Sequence, residues 1–350
     1  MPTLEFKGKP FVYSHHLSVP FRELIVDMKK SYPGGKKASL DDNLVIHGDN
    51  LEALKALLPR YAGKVDVIYI DPPYNTGNEG WAYNDNVNSP LMKEWLGRVV
   101  DRDDLERHDK WLCMMWPRLI LLKELMSKNG LIFISIDENE IGNLYAVCDE
   151  VFGSENRFDT IIWKKRYGGG SKEKYLVNLH EYIVIYCASK GSVSSIDRPL
   201  TPSKIERYYI YRDEKIEKRG PYRRQPLEAA KSVDARENLR YTIPAPDGKK
   251  IRANYQWLWE EDRFKKASEK NEIEFLKTDD GWSVQYKQYL RDENGVQRKE
   301  KQTTIFSSDH TFIDGIYTQT GTAEIRSIFD GKSPISYPKP SALVKALLSI

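Results

Sequence analysis

A chain of 350 residues exceeds the roughly 100 to 200 residues of a typical domain, so we expect one large α/β domain with an insertion, or two domains. Hydrophobic residues make up 40% and charged residues 30%, and no stretch approaches the ~18 uninterrupted apolar residues that a membrane span requires. The start of the chain lacks the apolar run of a secretory signal, and three widely spaced cysteines argue against disulfides and a cysteine-rich zinc site. These features point away from a membrane role and predict a protein of the reducing cytoplasm.

The net charge of +3 is distributed unevenly along the chain. Residues 161–310 contain 31 Lys and Arg against 23 Asp and Glu, whereas the remainder contains 23 basic and 28 acidic residues. A basic middle suggests contact with a polyanion, because neutralising phosphates supplies most of the non-specific affinity for nucleic acids. A solvated, lysine-rich surface explains the same charge equally well.

The chain divides into four predicted segments. Residues 1–43 are polar and irregular and are expected to form an N-terminal arm. Residues 44–190 alternate short apolar runs with helical periodicity, the pattern of a parallel sheet covered by helices. That alternation then fades, and we place an inserted α+β domain at 191–315. Residues 316–350 form a return segment that ends in a predicted helix from Ser341.

Residues 44–190 hold the predicted catalytic region. Leu44–Ile46 is a predicted strand, after which Asp49 or Asn50 can cap a helix with apolar positions at 51–58. Val65–Ile70 is a nearly continuous apolar run, as expected for a central strand that is buried on both faces. The later predicted elements are a helix at 112–126 with a kink at Pro117 and an end at Gly130, a strand at 131–136, a helix at 141–151 with an end at Gly153, and strands at 158–163 and 182–186.

A short polar motif follows directly on the Val65–Ile70 strand. Asp71-Pro72-Pro73-Tyr74 is predicted to lie at the carboxyl edge of the sheet, where open α/β folds bind ligands. Prolines fix the backbone and lack an N–H donor, so the carbonyl groups beside them stay free to accept hydrogen bonds. A carboxylate, rigid carbonyls and an aromatic face together suit an exocyclic amino group on a planar base. The alternative is a strand-terminating turn in which Tyr74 only packs.

Further motifs accompany this one in a fixed order. They are Gly48-Asp49-Asn50-Leu51, Tyr69-Ile70-Asp71-Pro72-Pro73-Tyr74-Asn75-Thr76-Gly77, Pro117-Arg118-Leu119, Ser135-Ile136-Asp137-Glu138-Asn139-Glu140 and Phe152-Gly153. In this combination the chain resembles the β-class DNA amino-methyltransferases, above all the adenine-specific modification subunits of type III restriction systems. The resemblance implies a Rossmann-like sheet with helices on both faces, interrupted by a target-recognition insert.

The resemblance also implies a reaction. A methyl group would pass from S-adenosylmethionine to the exocyclic amino group of an adenine that is flipped out of duplex DNA, by direct displacement and without a covalent base adduct. Asp71, with the backbone carbonyls of Pro72 and Pro73, would hold the amino group, and Tyr74 would stack on the extruded base. Asp in the first motif position favours adenine over cytosine.

Four polar residues are candidates for the cofactor. The resemblance implies that Asp49 and Asn50 bind polar groups of S-adenosylmethionine and that Lys339 and Ser341 reach its carboxylate. Helix capping is the alternative for Asp49, and an ordinary loop is the alternative for the other pair. The family's glycine-rich cofactor loop would follow the helix at Ser341, whereas this sequence ends at Ile350. We therefore expect a C-terminally truncated enzyme or one half of a split enzyme.

Arginines are the candidate DNA contacts of the predicted insert, because planar guanidinium groups fit phosphates and guanine edges. They are Arg207, Arg212, Arg219, Arg223 and Arg224. In type III systems the modification subunit dimerises and joins a helicase-nuclease subunit, so a homodimer and such a partner are implied.

Two other functions fit the same sequence. One is a DNA-binding fragment without catalysis, because the cofactor loop is missing. The other is an amino-methyltransferase that acts on cytosine, RNA or a protein amide; the long basic insert favours duplex DNA over a small protein site. No metal site is expected, since His15, His16 and His47 lack partners at metal-ligand spacing.

Overall fold

In the computed structural model, the described residues are 3–32, 38–76, 107–168, 176–193, 195–229, 236–279, 281–301, 304–306, 316–335 and 337–349. They form two compact units, the first made of Met1–Ile196 with Gln302–Ile350 and the second of Asp197–Lys301. The second unit lies within the range 191–315 that the sequence predicts as an insert. Across the described ranges, every helix is too short or too polar to cross a membrane.

Helices and strands follow one another along both units. The helices are α1 (Lys9–Val12), α2 (His15–Ser18), α3 (Asn50–Tyr61), α4 (Arg107–Leu125), α5 (Ile141–Phe152), α6 (Pro202–Tyr208), α7 (Ile216–Arg219), α8 (Glu261–Glu269), α9 (Thr318–Ile328) and α10 (Ser341–Leu348). The strands are β1 (Val65–Ile70), β2 (Met126–Ile136), β3 (Arg157–Lys164), β4 (His180–Cys187), β5 (Asp197–Pro199), β6 (Tyr222–Pro226), β7 (Thr242–Pro244), β8 (Lys250–Arg252), β9 (Ile273–Thr278), β10 (Gly281–Tyr289), β11 (Lys299–Lys301) and β12 (Ile305–Phe306).

The first unit is built on a five-stranded sheet with the strand order β1-β2-β4-β3-β12. β1 runs parallel to β2 and β12 runs parallel to β3, whereas β4 is antiparallel to both of its neighbours. The prediction of a parallel sheet is therefore wrong for β4. Lys164 at the end of β3 pairs with His180 at the start of β4, so these two neighbouring strands run in opposite directions.

Both faces of this sheet are covered by helices, because alternate strand residues point to opposite sides. On β2, Ile132 and Ile134 belong to the core that contains the buried residues of α4 and α5. Leu131 and Phe133 belong to the opposite core, which Leu343 of α10 completes. The first unit is thus a layered α/β structure, and its mixed α/β class agrees with the prediction.

Several predicted elements are confirmed. Asp49 precedes α3, Gly153 follows α5, and β3 and β4 cover the strands predicted at 158–163 and 182–186. The helix predicted from Ser341 is α10.

Two strand predictions are wrong. Leu44–Ile46 forms no strand with the described residues, and Val45 is fully exposed, so no apolar partner surface favours an extended, paired conformation there. Val65–Ile70 is a strand, but it stands at one end of the described sheet rather than in its centre. Only Ile68 of this strand is buried, as expected for a strand with a neighbour on one side.

Gly130 does not end a helix, contrary to the prediction. The helix α4 ends at Leu125 and β2 begins at the next residue, where Met126 pairs with Val65 of β1. A Cβ atom on Gly130 would lie 2.9 Å from the carbonyl oxygen of Val65. This position therefore requires glycine because β2 approaches β1 closely there, and not because a helix ends there.

Part of the segment predicted as an irregular arm packs into the core of the first unit. Phe6 and Val12 belong to the cluster formed by α4 and α5. The ammonium of Lys9 lies 2.7 Å from Oε1 of Glu150 on α5 and 2.5 Å from the carbonyl oxygen of Leu4. Residues near the chain start thus pack against both α4 and α5.

The second unit has its own core and its own sheets. A three-stranded antiparallel sheet has the order β6-β10-β9, and β5 pairs with β11 and β7 with β8. Trp257 is almost fully buried, and its indole N–H donates to the carbonyl of Tyr241 over 2.8 Å. The rest of the core is formed by Leu227, Ile243, Phe264, Ala267, Ile273 and Val284.

Candidate active site at the carboxyl edge of the sheet

The sheet topology brings the ends of four strands to one edge. β1 and β2 are parallel, so the residue after Ile70 and the residue after Ile136 lie at the same edge. Because β4 is antiparallel, its first residues reach that edge as well, and Ile136 pairs with Tyr182. The end of β3 joins them, since Lys164 pairs with His180. Polar residues from distant parts of the sequence therefore meet here.

Asp71 opens the site directly after β1. Its two carboxylate oxygens accept hydrogen bonds from the ammonium of Lys339, at 2.9 and 3.0 Å. About a third of the Asp71 side chain (35%) is exposed, whereas that of Lys339 is almost buried. The surrounding protein raises the pKa of Asp71 by displacing water from it, and Lys339 opposes this rise. The sequence predicts both residues for the site but not their contact.

Glu181 on β4 is the residue of this edge that sequence reasoning missed. Its Oε2 atom accepts a hydrogen bond from the Tyr74 hydroxyl at 2.9 Å and lies 3.4 Å from the Lys339 ammonium. Its Oε1 atom lies 3.3 Å from the ammonium of Lys165. Only 11% of the Glu181 side chain is exposed. A buried carboxylate with three partners thus lies directly behind the predicted motif.

The Tyr74 ring is held from two directions. Its hydroxyl donates to Glu181, and the Lys339 ammonium lies 4.8 Å from the ring centroid, a distance typical of a cation–π contact. Burial and the neighbouring carboxylates of Asp71 and Glu181 raise the pKa of the phenol far above its usual value. Tyr74 therefore keeps its proton and acts as a hydrogen-bond donor.

The carbonyl groups of Pro72 and Pro73 differ in whether they accept a hydrogen bond. The Pro73 carbonyl accepts a hydrogen bond from the indole N–H of Trp111 on α4 at 2.7 Å. The Pro72 carbonyl has no donor within the described part of the chain. Of the two acceptors that the motif predicts, the Pro72 carbonyl is therefore the one still open to a ligand.

The turn after Tyr74 is fixed by a buried carboxylate. Asn75 has a left-handed backbone (φ 56°), a conformation that asparagine tolerates better than most residues. Its amide donates to Glu140, which is fully buried, and to the carbonyl of Arg107 at 3.2 Å. Glu140 also accepts from the amide of Asn143 and lies 2.7 Å from Nδ1 of His108. These contacts hold the backbone that carries the site.

The four predicted cofactor residues each have a partner within the first unit. Asp49 caps α3 by accepting from the backbone N–H groups of Leu51 and Glu52, at 2.9 and 3.2 Å. Asn50 accepts from Nε of Arg118 at 2.8 Å. The remaining two are Lys339, which contacts Asp71, and Ser341, whose backbone N–H and hydroxyl both donate to Glu324.

A glycine of α9 lets the Lys339 segment approach the helix. A Cβ atom on Gly321 would overlap the carbonyl oxygen of Pro338 and lie 2.9 Å from the nitrogen of Pro340. Gly321 is therefore required by close contact with the chain on either side of Lys339. Its only signal in the sequence is a lone glycine inside a helical stretch, which does not reveal the contact.

The five predicted DNA-contacting arginines have different surroundings in the second unit. Arg219 is buried, pairs with Glu272 at 2.9 Å and stacks on Tyr289. Arg224 pairs with Glu274. Arg223, which is partly buried, donates to Gln288, whereas Arg207 and Arg212 are exposed.

The site is rich in acceptors and lacks a reactive thiol. All three cysteines are buried, and burial raises their pKa values, that of Cys113 to about 12. The described ranges contain no group of three His, Cys, Asp or Glu residues that could hold a metal. What the edge offers a ligand is the Asp71 carboxylate, the Pro72 carbonyl and the Tyr74 ring.

Comparison with known proteins adds the family context. Residues 65–349 match the sequence model of a family described as DNA methylase. The type III restriction-modification enzyme StyLTI Mod subunit of Salmonella typhimurium is 29% identical over 356 residues, covering 99% of this chain and 52% of the relative. The EcoP15I Mod subunit of Escherichia coli is 40% identical over 166 residues, covering 44% of this chain and 25% of the relative. The chain thus spans about half the length of the first relative.

Two further proteins are similar over different shares of the chain. The type II methyltransferase M.KpnI of Klebsiella pneumoniae is 27% identical over 303 residues, which covers 81% of this chain and 66% of that protein. The solved structure of the M1.HpyAVI-SAM complex has 17% identity and a TM-score of 0.27, over 45% of this chain and 58% of the other.

Proposed function

Since the chain belongs to the DNA methylase family, we propose that it is a DNA adenine methyltransferase of a restriction-modification system. It transfers a methyl group from S-adenosylmethionine to the exocyclic amino group of an adenine in duplex DNA. The observation that carries this proposal is the pair of acceptors after β1, where Asp71 is followed by Pro72, whose carbonyl has no donor among the described residues. An amino group has two N–H donors, and this pair can accept both.

The chain's own residues activate the amino group. Asp71 accepts one N–H bond and the Pro72 carbonyl accepts the other, which draws the nitrogen lone pair away from the aromatic ring. That nitrogen would accept the methyl group that bound S-adenosylmethionine supplies, and it would lose one proton. We assign Asp71 as the base that accepts this proton, since its raised pKa favours the transfer.

The charges at the edge fit an amino acid cofactor with a positive sulfur. Lys339 offers an ammonium to a carboxylate, and Asp71 and Glu181 offer negative charge. We assign Lys339 and Ser341 to the carboxylate and Asp49 and Asn50 to other polar groups of the cofactor. Bound S-adenosylmethionine supplies an electrophilic methyl group. Once it has left Asp71, the Lys339 ammonium can contact the cofactor carboxylate and Glu181 together, because it has three N–H donors.

Tyr74 is proposed to stack on a base that has left the double helix. One side of its ring already contacts the Lys339 ammonium, and its hydroxyl is held by Glu181, so the ring has a fixed plane. Stacking offsets part of the few kcal/mol that flipping a base costs. A cytosine offers a similar amino group, and Asp in the first motif position is the reason for proposing adenine.

We propose the second unit as the target-recognition insert of a Rossmann-like methyltransferase domain. Arg207, Arg212 and Arg223 are its proposed DNA contacts, because none of them is paired with a carboxylate of the described residues. Arg219 and Arg224 are proposed to support the unit from within, since each pairs with a glutamate. The similarity to type III Mod subunits supports three further proposals: a homodimer, a helicase-nuclease partner and a cytoplasmic location with the DNA.

Product analysis tests this function. The full-length protein is incubated with unmethylated DNA of high sequence complexity and methyl-labelled S-adenosylmethionine, and the DNA is digested to nucleosides for mass spectrometry. We expect label in N6-methyladenine. Label in N4-methylcytosine would refute the choice of base, and label in RNA or protein but not in DNA would refute the proposed substrate.

A further inference from the structure

Four charged side chains form a cluster at the edge of the sheet that holds Asp71. Asp71 and Glu181 carry negative charge, and Lys165 and Lys339 carry positive charge. Lys339 contacts both carboxylates, whereas Lys165 contacts only Glu181. Asp71 is the most exposed of the four, and Glu181 and Lys339 are each about nine-tenths buried. The cluster is neutral as a whole, which allows it to be buried.

This arrangement raises a problem for the proposed reaction. Both oxygens of Asp71 accept from Lys339, at 2.9 and 3.0 Å, so an incoming amino group competes with an ammonium for the acceptor it needs. A lysine that left Asp71 without another partner would be a buried and unpaired charge, which is costly. The only other carboxylate in contact with Lys339 among the described residues is Glu181, at 3.4 Å.

We propose that Glu181 is a positioning residue of the methyl-transfer site, which takes over Lys339 when the amino group binds Asp71 and which holds the Tyr74 ring in place. This inference rests on the proposed function. Lys339 has to move by only a few tenths of an ångström to shorten its contact with Glu181 to a full hydrogen bond. Lys165 holds the other oxygen of Glu181, so the carboxylate stays in place during the exchange.

Glu181 also influences the pKa of Asp71. The groups that face Asp71 are Tyr69 of β1, Tyr74, Glu181 and Lys339. Besides burial, which is the largest influence, Lys339 lowers the pKa of Asp71 and Glu181 raises it. Because the reaction needs ionised Asp71, activity is present above this pKa and is lost as the pH falls through it. Replacing Glu181 by a neutral residue should therefore move the acid limb of the pH–rate profile to lower pH.

The test compares the kcat of Glu181→Gln with that of wild type in methyl transfer by the full-length protein, at saturating DNA and cofactor. We expect kcat to fall roughly 10- to 100-fold, because the acceptor stays occupied and the ring is loosened. The affinity for duplex DNA should change less than about twofold, since Glu181 is not one of the residues proposed to contact DNA. The acid limb should move to lower pH, a change that a merely structural defect would not produce.

Asp159→Asn is the matched control, because Asp159 is an exposed carboxylate on β3 and contacts only the backbone N–H of its neighbour in the described structure. It should leave kcat and the acid limb unchanged. Glu181→Asp keeps the charge but shortens the reach to Tyr74 and Lys339, so it should give an intermediate kcat with the acid limb of the wild type.

The outcomes separate this inference from the proposed function. If wild type methylates DNA and a folded Glu181→Gln variant keeps the wild-type kcat and acid limb, the inference is wrong and the function stands. If wild type methylates no DNA base, the proposed function fails first. Should the Gln variant not fold, Glu181→Asp decides: a lower kcat at unchanged Tm supports the inference, and an unchanged kcat overturns it.

Discussion

Two valines near the chain start differ completely in how far they are buried. Val12 is completely buried against α4, whereas Val45 is completely exposed. Val12 lies in the segment 1–43 that the sequence predicts as an irregular arm, whereas Val45 lies in the predicted strand Leu44–Ile46. Only the tertiary structure tells which of them contributes to stability, because a hydrophobic contribution scales with the apolar area removed from water.

Substituting these two valines measures that difference. Val12→Ala should lower the free energy of unfolding by about 2 kcal/mol, since it removes buried methyl groups and leaves a cavity. Val45→Ala, the matched control, should change it by less than about 0.5 kcal/mol, as expected for an exposed position. Urea denaturation followed by tryptophan fluorescence gives both values. Equal effects of the two substitutions would mean that the N-terminal segment does not pack as described.

At the scale of single side chains, the acceptor of the site could be predicted but its surroundings could not. Asp71 follows a strand and precedes two prolines, a local pattern that the sequence displays directly. Glu181 lies 110 positions further along, and nothing near it distinguishes it from a surface glutamate. Its role depends on which end of β4 reaches the edge of the sheet.

The direction of β4 determines which of its residues reach the candidate site. Apolar runs predict strands well, and β3 and β4 lie where such runs occur. The runs do not encode direction, because a buried strand has the same composition whether it runs parallel or antiparallel to its neighbour. As an antiparallel strand, β4 brings its amino end, with Glu181, to the edge where β1 ends. The contact between Glu181 and Tyr74 could therefore not be derived from periodicity.

The contact between α9 and the Lys339 segment gives a prediction at this scale. Gly321→Ala should displace residues 338–340, because the added Cβ atom would overlap the Pro338 carbonyl and the backbone has to move. We expect methyl transfer to fall at least 10-fold, because Lys339 would be displaced from its proposed contact with the cofactor carboxylate. The rate is measured under single-turnover conditions.

Gly142→Ala is the matched control for Gly321→Ala. Gly142 lies in α5, and a Cβ atom there would meet nothing within 4 Å. This substitution should raise the free energy of unfolding by up to about 1 kcal/mol, because alanine favours the helix more than glycine does, and leave the rate unchanged. A Gly321→Ala protein as active as the Gly142→Ala protein would contradict the close approach.

At the scale of the whole molecule, the two units differ in charge. Residues 197–301 contain 25 Lys and Arg against 20 Asp and Glu, whereas the rest of the chain contains 29 basic and 31 acidic residues. The second unit also has a complete core of its own. A basic unit in addition to the one that holds Asp71 is consistent with the division of labour that we propose, in which phosphate contacts supply affinity and the Asp71 site supplies chemistry.

Salt dependence tests that division. Replacing Arg207, Arg212 and Arg223 together by Ala should weaken DNA binding and reduce the slope of log K against log salt by about 2 to 3, since each phosphate contact contributes about 0.9. Fluorescence anisotropy with labelled duplex DNA over a range of salt concentrations gives the slope. The matched control replaces Arg60, Lys64 and Lys128 by Ala. These three cations lie near the amino ends of β1 and β2, and so on the side of the sheet opposite the carboxyl edge with Asp71. A larger loss of slope in the control would place the DNA on the other side of the first unit.

The central claim is that Asp71 accepts the amino group of the target base. The most direct measurement is single-turnover methyl transfer by wild type and by Asp71→Ala on the same unmethylated duplex DNA, with DNA affinity measured in parallel. The account predicts that the variant loses at least 100-fold in rate, because the carboxylate acts on the reacting nitrogen, and binds DNA within about twofold of wild type. An Asp71→Ala protein that methylates DNA at the wild-type rate would contradict the account.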